Sequence, residues 1–142
     1  MTRKVVLAHG VFDLLHLGHM EHLAEAKSYG DYLVVSVVAD RFVAKPRRPM
    51  ICTQAERMAA LAHLRSVDDA ILCDAPGPQE LIEKLRPDFY VRGPDYAGVR
   101  MPESEVLERL GIEVFTTRAP SDSTTALVGR IYALCKAHPE FA

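Results

Sequence analysis

The chain reads as one α/β domain, a five-stranded parallel sheet with helices on both faces. Three observations predict this class. Short apolar segments rich in β-branched residues alternate with segments of helical periodicity along the whole length. The strand candidates are continuous apolar runs, as strands buried on both faces are. The chain has 142 residues, 49% of them hydrophobic, which suffices for one well-cored domain and not for two ordinary ones. Residues 1–142 are therefore treated as a single unit, without internal repeat, linker or low-complexity stretch.

The first strand is KVVLA, and the spacing of MEHLAEAKSYG after it predicts a helix stopped by Gly30. GDYLVVSVVA is the second strand. TQAERMAALAHL follows as a helix in which Thr53 and Glu56 stand at capping-box spacing. DDAILC, DFYVRG and EVFTT are expected as strands three, four and five, with QELIEKL and ESEVLERLG as the helices between them. Gly111 ends the second of these helices. Ser123 is placed to cap a last helix running through TTALVGRIYALCKA. In such sheets connections are right-handed, and ligands settle beyond the carboxyl ends of the strands where the order reverses.

Between the first strand and the first helix lies HGVFDLLHLGH, residues 9–19. His16 and His19 fall where the helix begins. A helix start carries unpaired N–H groups and a positive dipole end, so it attracts anions. Gly18 between the two histidines removes a Cβ that would obstruct close approach. Residues three apart share a helical face, so both imidazoles can point at one phosphate and donate to it. The dipole disfavours protonation of the empty site, and an arriving polyphosphate favours it. A zinc site on His16, His19 and His22 is the competing reading, but no cysteine or further histidine is placed to complete four ligands. No metal ligand is assigned. The ordinary fate of a histidine is a structural hydrogen bond or a solvated position, and His22, His63 and His138 are assigned there.

The formal charge of −2 and pI near 6.3 show no basic surplus, which argues against a nucleic-acid partner. Cys52, Cys73 and Cys135 are widely spaced and odd in number, as reduced thiols in a cytoplasmic protein are. No signal peptide or membrane-spanning run is visible.

Five blocks in order, GVFDLLHLGH, GDYLVVSVVADRF, ERMAALAHLRSVDDA, RPDFYVRGPDY and RAPSDSTTALVGRI, resemble the HxGH nucleotidyltransferases. Within that superfamily they resemble the cytidylyltransferase-like family, which includes the glycerol-3-phosphate cytidylyltransferases and the heptose-phosphate adenylyltransferases. The resemblance implies a Rossmann-like sheet of order 3-2-1-4-5 with its cleft between strands one and four. It implies transfer of a nucleoside monophosphate from a nucleoside triphosphate to a small phosphorylated acceptor, with Mg2+ accompanying the nucleotide, and a homodimer.

By the same resemblance, His16 and His19 act with Lys45 and Arg118 on the triphosphate. Gly10, Val11, Phe12 and Gly18 line the nucleotide loop; relatives have threonine or cysteine at Val11, which here offers only its backbone N–H. Lys45 and Arg48 lie in DRFVAKPRRPM, the most basic stretch of the chain, otherwise readable as a solvated loop. Arg92, Asp95 and Tyr96 border the base. Asp95 can accept from an exocyclic amino group and Tyr96 can pack on the ring, and both cytosine and adenine suit that arrangement. Ser123 and Thr124 open the last helix as a second phosphate site. Arg57 and Arg65 are surface ion-pair, subunit-contact or acceptor-phosphate residues, and Asp122 faces an acceptor hydroxyl or ammonium, or solvent. Arg118 stands five residues before Ser123, the spacing of the glycerol-3-phosphate cytidylyltransferases, so CTP is favoured over ATP. An ATP-dependent adenylyltransferase acting on a sugar 1-phosphate and a catalytically silent nucleotide-binding module are the alternatives.

Overall fold

The computed structural model describes residues 2–43, 50–118 and 123–141. Among them run five strands, β1 (Val5–Gly10), β2 (Tyr32–Val38), β3 (Asp69–Cys73), β4 (Phe89–Arg92) and β5 (Glu113–Thr116). All pair in parallel in the order β3-β2-β1-β4-β5. Their connections are helical: α1 (Leu17–Ser28), α2 (Gln54–Ala62), α3 (Gln79–Leu85) and α4 (Ser104–Leu110), with α5 (Thr124–Ala137) after β5.

The apolar runs are buried on both faces, as their lack of alternation requires. Val6 and Ala8 of β1 pack with Leu23 and Ala26 of α1 and Leu61 of α2. Leu7, on the opposite face, packs with Ile82 of α3 and with Val106 and Leu107 of α4. Burying one such leucine stabilises by about 2 kcal/mol.

Local signals behave as their chemistry predicts. The Thr53 hydroxyl accepts from the Glu56 N–H at 3.2 Å while the Glu56 carboxylate accepts from the Thr53 N–H at 3.0 Å. Gly111 takes a left-handed φ of 68° to end α4. At Gly30 a Cβ would lie 2.7 Å from the Val6 side chain and 2.8 Å from the Lys4 carbonyl, so α1 can return to the sheet this tightly only through glycine.

One boundary differs from expectation. β1 continues two residues beyond KVVLA, to Gly10, so His9 belongs to the strand, directly opposite Ser36 of β2. The chain runs from β1 outward to β3 on one side and to β5 on the other. The switch point therefore lies between the carboxyl ends of β1 and β4.

Candidate active site

A cavity of about 360 Å³ opens at that switch point. Its walls come from the end of β1 and the loop after it, the start of α1, the loop after β4 and the start of α5.

At the start of α1 two histidines replace the usual Ser and Glu of a capping box. His16 is the N-cap: its Nδ1 accepts from the Gly18 N–H at 3.0 Å, and the His16 N–H donates to His19 Nδ1 at 3.3 Å. A ring nitrogen that accepts a backbone N–H carries no proton, so this network assigns the proton of each neutral ring to Nε2. Both rings are thereby set as donors at Nε2. Their centroids are 4.0 Å apart and both line the cavity. The His19 pKa is lowered to about 4, by burial first and then by the neighbouring His16 and His22, with the Leu14 carbonyl partly opposing. The empty site thus holds a neutral His19, as expected, although burial and the other histidines are the causes.

α1 is fastened to β5 along its length. His22 Nδ1 and Thr117 Oγ1 are 2.7 Å apart. The Glu25 carboxylate accepts from the Arg118 backbone N–H at 2.9 and 3.2 Å. Tyr29 stacks on Phe115 with ring centroids at 4.3 Å. On the other side, Asp13 of the loop after β1 accepts from the N–H groups of Ile51 and Cys52 at 2.8 and 2.9 Å.

Of the residues singled out from sequence, the cavity brings together Gly10, Val11, Phe12, His16, Gly18, His19, Asp95, Tyr96, Ser123 and Thr124. Ser123 caps α5, its hydroxyl accepting from the Ala126 N–H at 3.0 Å, and Thr124 Oγ1 donates to the Leu14 carbonyl at 3.1 Å. Lys45, Arg48 and Asp122 lie outside the described residues.

Four arginines stand elsewhere. Arg57 is 1% exposed, and its guanidinium donates to the carbonyls of Val11 and Val38 and to Asp40 at 2.7, 2.9 and 2.7 Å. It is neither a surface ion-pair residue nor an acceptor contact, because it is enclosed beneath the loop it holds. Arg92 donates to the Val99 carbonyl at 2.8 Å and to Ser104 Oγ at 3.3 Å. It braces the loop after β4 and does not line the cavity. Arg65 follows α2 near the amino-terminal edge of the sheet, where the Asp68 N–H meets the Leu33 carbonyl at the start of β2. A role in acceptor contact does not fit that position, opposite the cavity. Arg118 is exposed at the end of β5, with its backbone bound to Glu25, and is not part of the cavity wall.

His9, Asp13 and His22 also line the cavity and were not singled out as site residues. For His22 the signal was available, since it continues the spacing of His16 and His19. For His9 the signal is its place as the penultimate residue of the central strand. Among the described residues no cluster of three or more side chains is arranged to hold a metal ion. No helix among them is long and apolar enough to cross a membrane.

A family model described as cytidylyltransferase-like matches residues 7–127. The bifunctional protein HldE of Campylobacter curvus is 39% identical over 132 residues, covering 91% of this chain and 27% of that protein. HldE of Geobacter metallireducens is 38% identical over 133 residues, with coverage of 91% and 27%. The chain thus spans only 27% of the length of these curated relatives. Among solved structures, the lipopolysaccharide core biosynthesis protein from Thermoplasma volcanium superposes with a TM-score of 0.73 at 29% identity, covering 84% of this chain and 100% of that one. Pantothenate synthetase from Thermus thermophilus shares the fold, with a TM-score of 0.54 at 17% identity over 80% of this chain and 54% of that one.

Proposed function

Since the chain belongs to the cytidylyltransferase-like family, we propose that it transfers a nucleoside monophosphate from a nucleoside triphosphate to the phosphate of a sugar phosphate, releasing pyrophosphate. The observation that carries this reading is the double-histidine cap of α1, which turns two Nε2 donors and a helix start toward one cavity. The start of α5 opens on the same cavity, a second anion-attracting end for a polyanionic substrate.

The chemistry asks for alignment more than for activation. An acceptor phosphate oxygen is already anionic near neutral pH and attacks the α-phosphorus in line. The bond from the α-phosphorus to the bridging oxygen breaks, and pyrophosphate leaves with that oxygen. His16 and His19 donate to oxygens whose charge grows along this path. The resemblance assigns Arg118 and Lys45 to the remainder of the triphosphate. Asp95 and Tyr96 receive the base. Magnesium arrives as the counterion of the triphosphate and belongs to the substrate. It keeps several waters and needs at most one or two carboxylates beyond the phosphates, and among the described residues Asp13 and Asp95 are the carboxylates that line the cavity.

ATP and a sugar 1-phosphate are the preferred substrates in this reading. The relatives named bifunctional protein HldE and the resemblance to heptose-phosphate adenylyltransferases favour them. CTP is favoured by one feature, the spacing of Arg118 and Ser123. Purified protein mixed with magnesium, ATP or CTP, and a panel of sugar and polyol phosphates decides between them. Acceptor-dependent pyrophosphate release with ATP and a sugar 1-phosphate is the expected result. Release with CTP alone would move the reading to a cytidylyltransferase, and no release with any pair would leave a nucleotide-binding module.

A further inference from the structure

We propose that His9 forms a separate subsite that binds a hydroxyl group of the sugar part of the acceptor, an inference that rests on the sugar-phosphate reading above. His9 ends the central strand and lines the cavity, but it lies apart from the α1 cap that carries His16 and His19. Its Nδ1 is 2.7 Å from Oγ of Ser36, a fully buried residue paired opposite it in β2. That bond fixes the plane of the ring and leaves Nε2. Among the described residues Nε2 has no hydrogen-bond partner. The enclosed side-chain atoms without a partner are Arg57 Nε and Arg92 Nε, so His9 Nε2 is open to the cavity rather than sealed in the core.

The chemistry of that nitrogen selects a hydroxyl over a phosphate. Burial lowers the His9 pKa, only partly offset by the nearby Glu103 carboxylate, whose Oε1 accepts from the Tyr90 hydroxyl. The ring is therefore neutral and, standing at a strand end, lacks the helix start whose dipole draws an anion to His16 and His19. Either tautomer, set by the direction of the Ser36 bond, leaves Nε2 as one donor or one acceptor. A hydroxyl satisfies both cases, being donor and acceptor at once.

Position selects the acceptor over the nucleotide. The loop after β4, assigned to the base, and the start of α5, assigned to the phosphates, lie on one side of β1. Ser36 draws the His9 ring toward β2, on the other side. The His9 side of the cavity is therefore assigned to the molecule that attacks.

The test is steady-state pyrophosphate release by the wild type, His9→Leu and His9→Gln, using the sugar 1-phosphate that supports turnover and analogues of it lacking one hydroxyl each. His9→Leu is expected to raise the acceptor KM about fivefold to tenfold, the size of one lost hydrogen bond. The KM for the nucleotide stays unchanged, and His9→Gln, which keeps a polar tip, restores most of the loss. For one deoxy analogue the wild type and His9→Leu should have equal KM. Four results overturn the inference: no change in acceptor KM, an equal penalty with every analogue, a penalty that His9→Gln does not relieve in a variant with normal thermal unfolding, or a penalty on the nucleotide that vanishes with a 2′- or 3′-deoxy nucleotide. The last would assign His9 to the ribose. A wild type that turns over no sugar phosphate would instead remove the functional reading itself.

Discussion

The two helices that open on the cavity are built in opposite ways. α1 buries Leu23 and Ala26, is tied to β5 and the residues after it by His22, Glu25 and Tyr29, and caps itself with imidazoles that line the cavity. No residue of α5 is buried, and its Ile131, Tyr132 and Leu134 are 47%, 68% and 60% exposed. At its start the Thr124 hydroxyl donates to the Leu14 carbonyl. On the proposed function, the contrast separates two kinds of phosphate site. At α1 the donors are preorganised by packing, which is where rate enhancement comes from. At α5 a simple cap presents a helix start, which suits binding more than acceleration.

The largest expected effect therefore falls on α1. His16→Ala and His19→Ala should each lower kcat by roughly 10² to 10³, about 3 kcal/mol of barrier, with unchanged circular dichroism. The same change at α5, Ser123→Ala, should be felt chiefly in the nucleotide KM, by roughly tenfold or less, alongside about 1 kcal/mol of stability. Equal losses in kcat at both helices would erase the distinction.

Arg57 sharpens the comparison from below, because it holds the Val11 carbonyl on the α1 side of the cavity. Arg57→Met should destabilise by about 2 to 3 kcal/mol in denaturant unfolding, since it leaves acceptors of a charged donor without a partner. Thr117→Val is smaller. Loss of the bond to His22 should lower stability by about 1 kcal/mol and reduce kcat more than the nucleotide KM, as expected for a fastening that orients α1.

The smallest effect is in pH. An unfolded chain protonates His19 near pH 6.5, whereas the folded ring resists until about 4. Between those values the unfolded state binds more protons, so the stability contribution is complete above about pH 6.5 and is lost as pH falls toward 4. The shifts of His9 and His22 have the same direction. A bound triphosphate favours the protonated ring and opposes this loss. Its stabilising effect on thermal unfolding should therefore grow from about pH 7.5 to about pH 5.5. A pH-independent effect would show that the phosphates do not meet the histidines.

The strands and the helix starts were legible in the chain, because they depend on local chemistry that a short window contains, whereas the strand order and most of the cavity wall came from the family resemblance. The apolar runs announce buried strands, Gly111 announces a left-handed stop, and the HxGH spacing announces a cap that faces a ligand. Arg57 and Arg92 show where that legibility ends. An arginine in a family block looks like a phosphate ligand, yet whether its guanidinium points into a cavity or under a loop is decided by packing between segments far apart in sequence. Arg57 on α2 reaches Val11 across 46 positions. His9 failed to stand out for a related reason. Its role depends on the strand extending two residues further and on Ser36 lying opposite, neither of which its neighbours in sequence reveal.

A structure with ATP or CTP bound tests the central claim most directly. The account predicts phosphate oxygens within hydrogen-bond distance of Nε2 of both His16 and His19, with the base over Asp95 and Tyr96. A triphosphate seated away from the start of α1, with no phosphate oxygen near Nε2 of either ring, would contradict it.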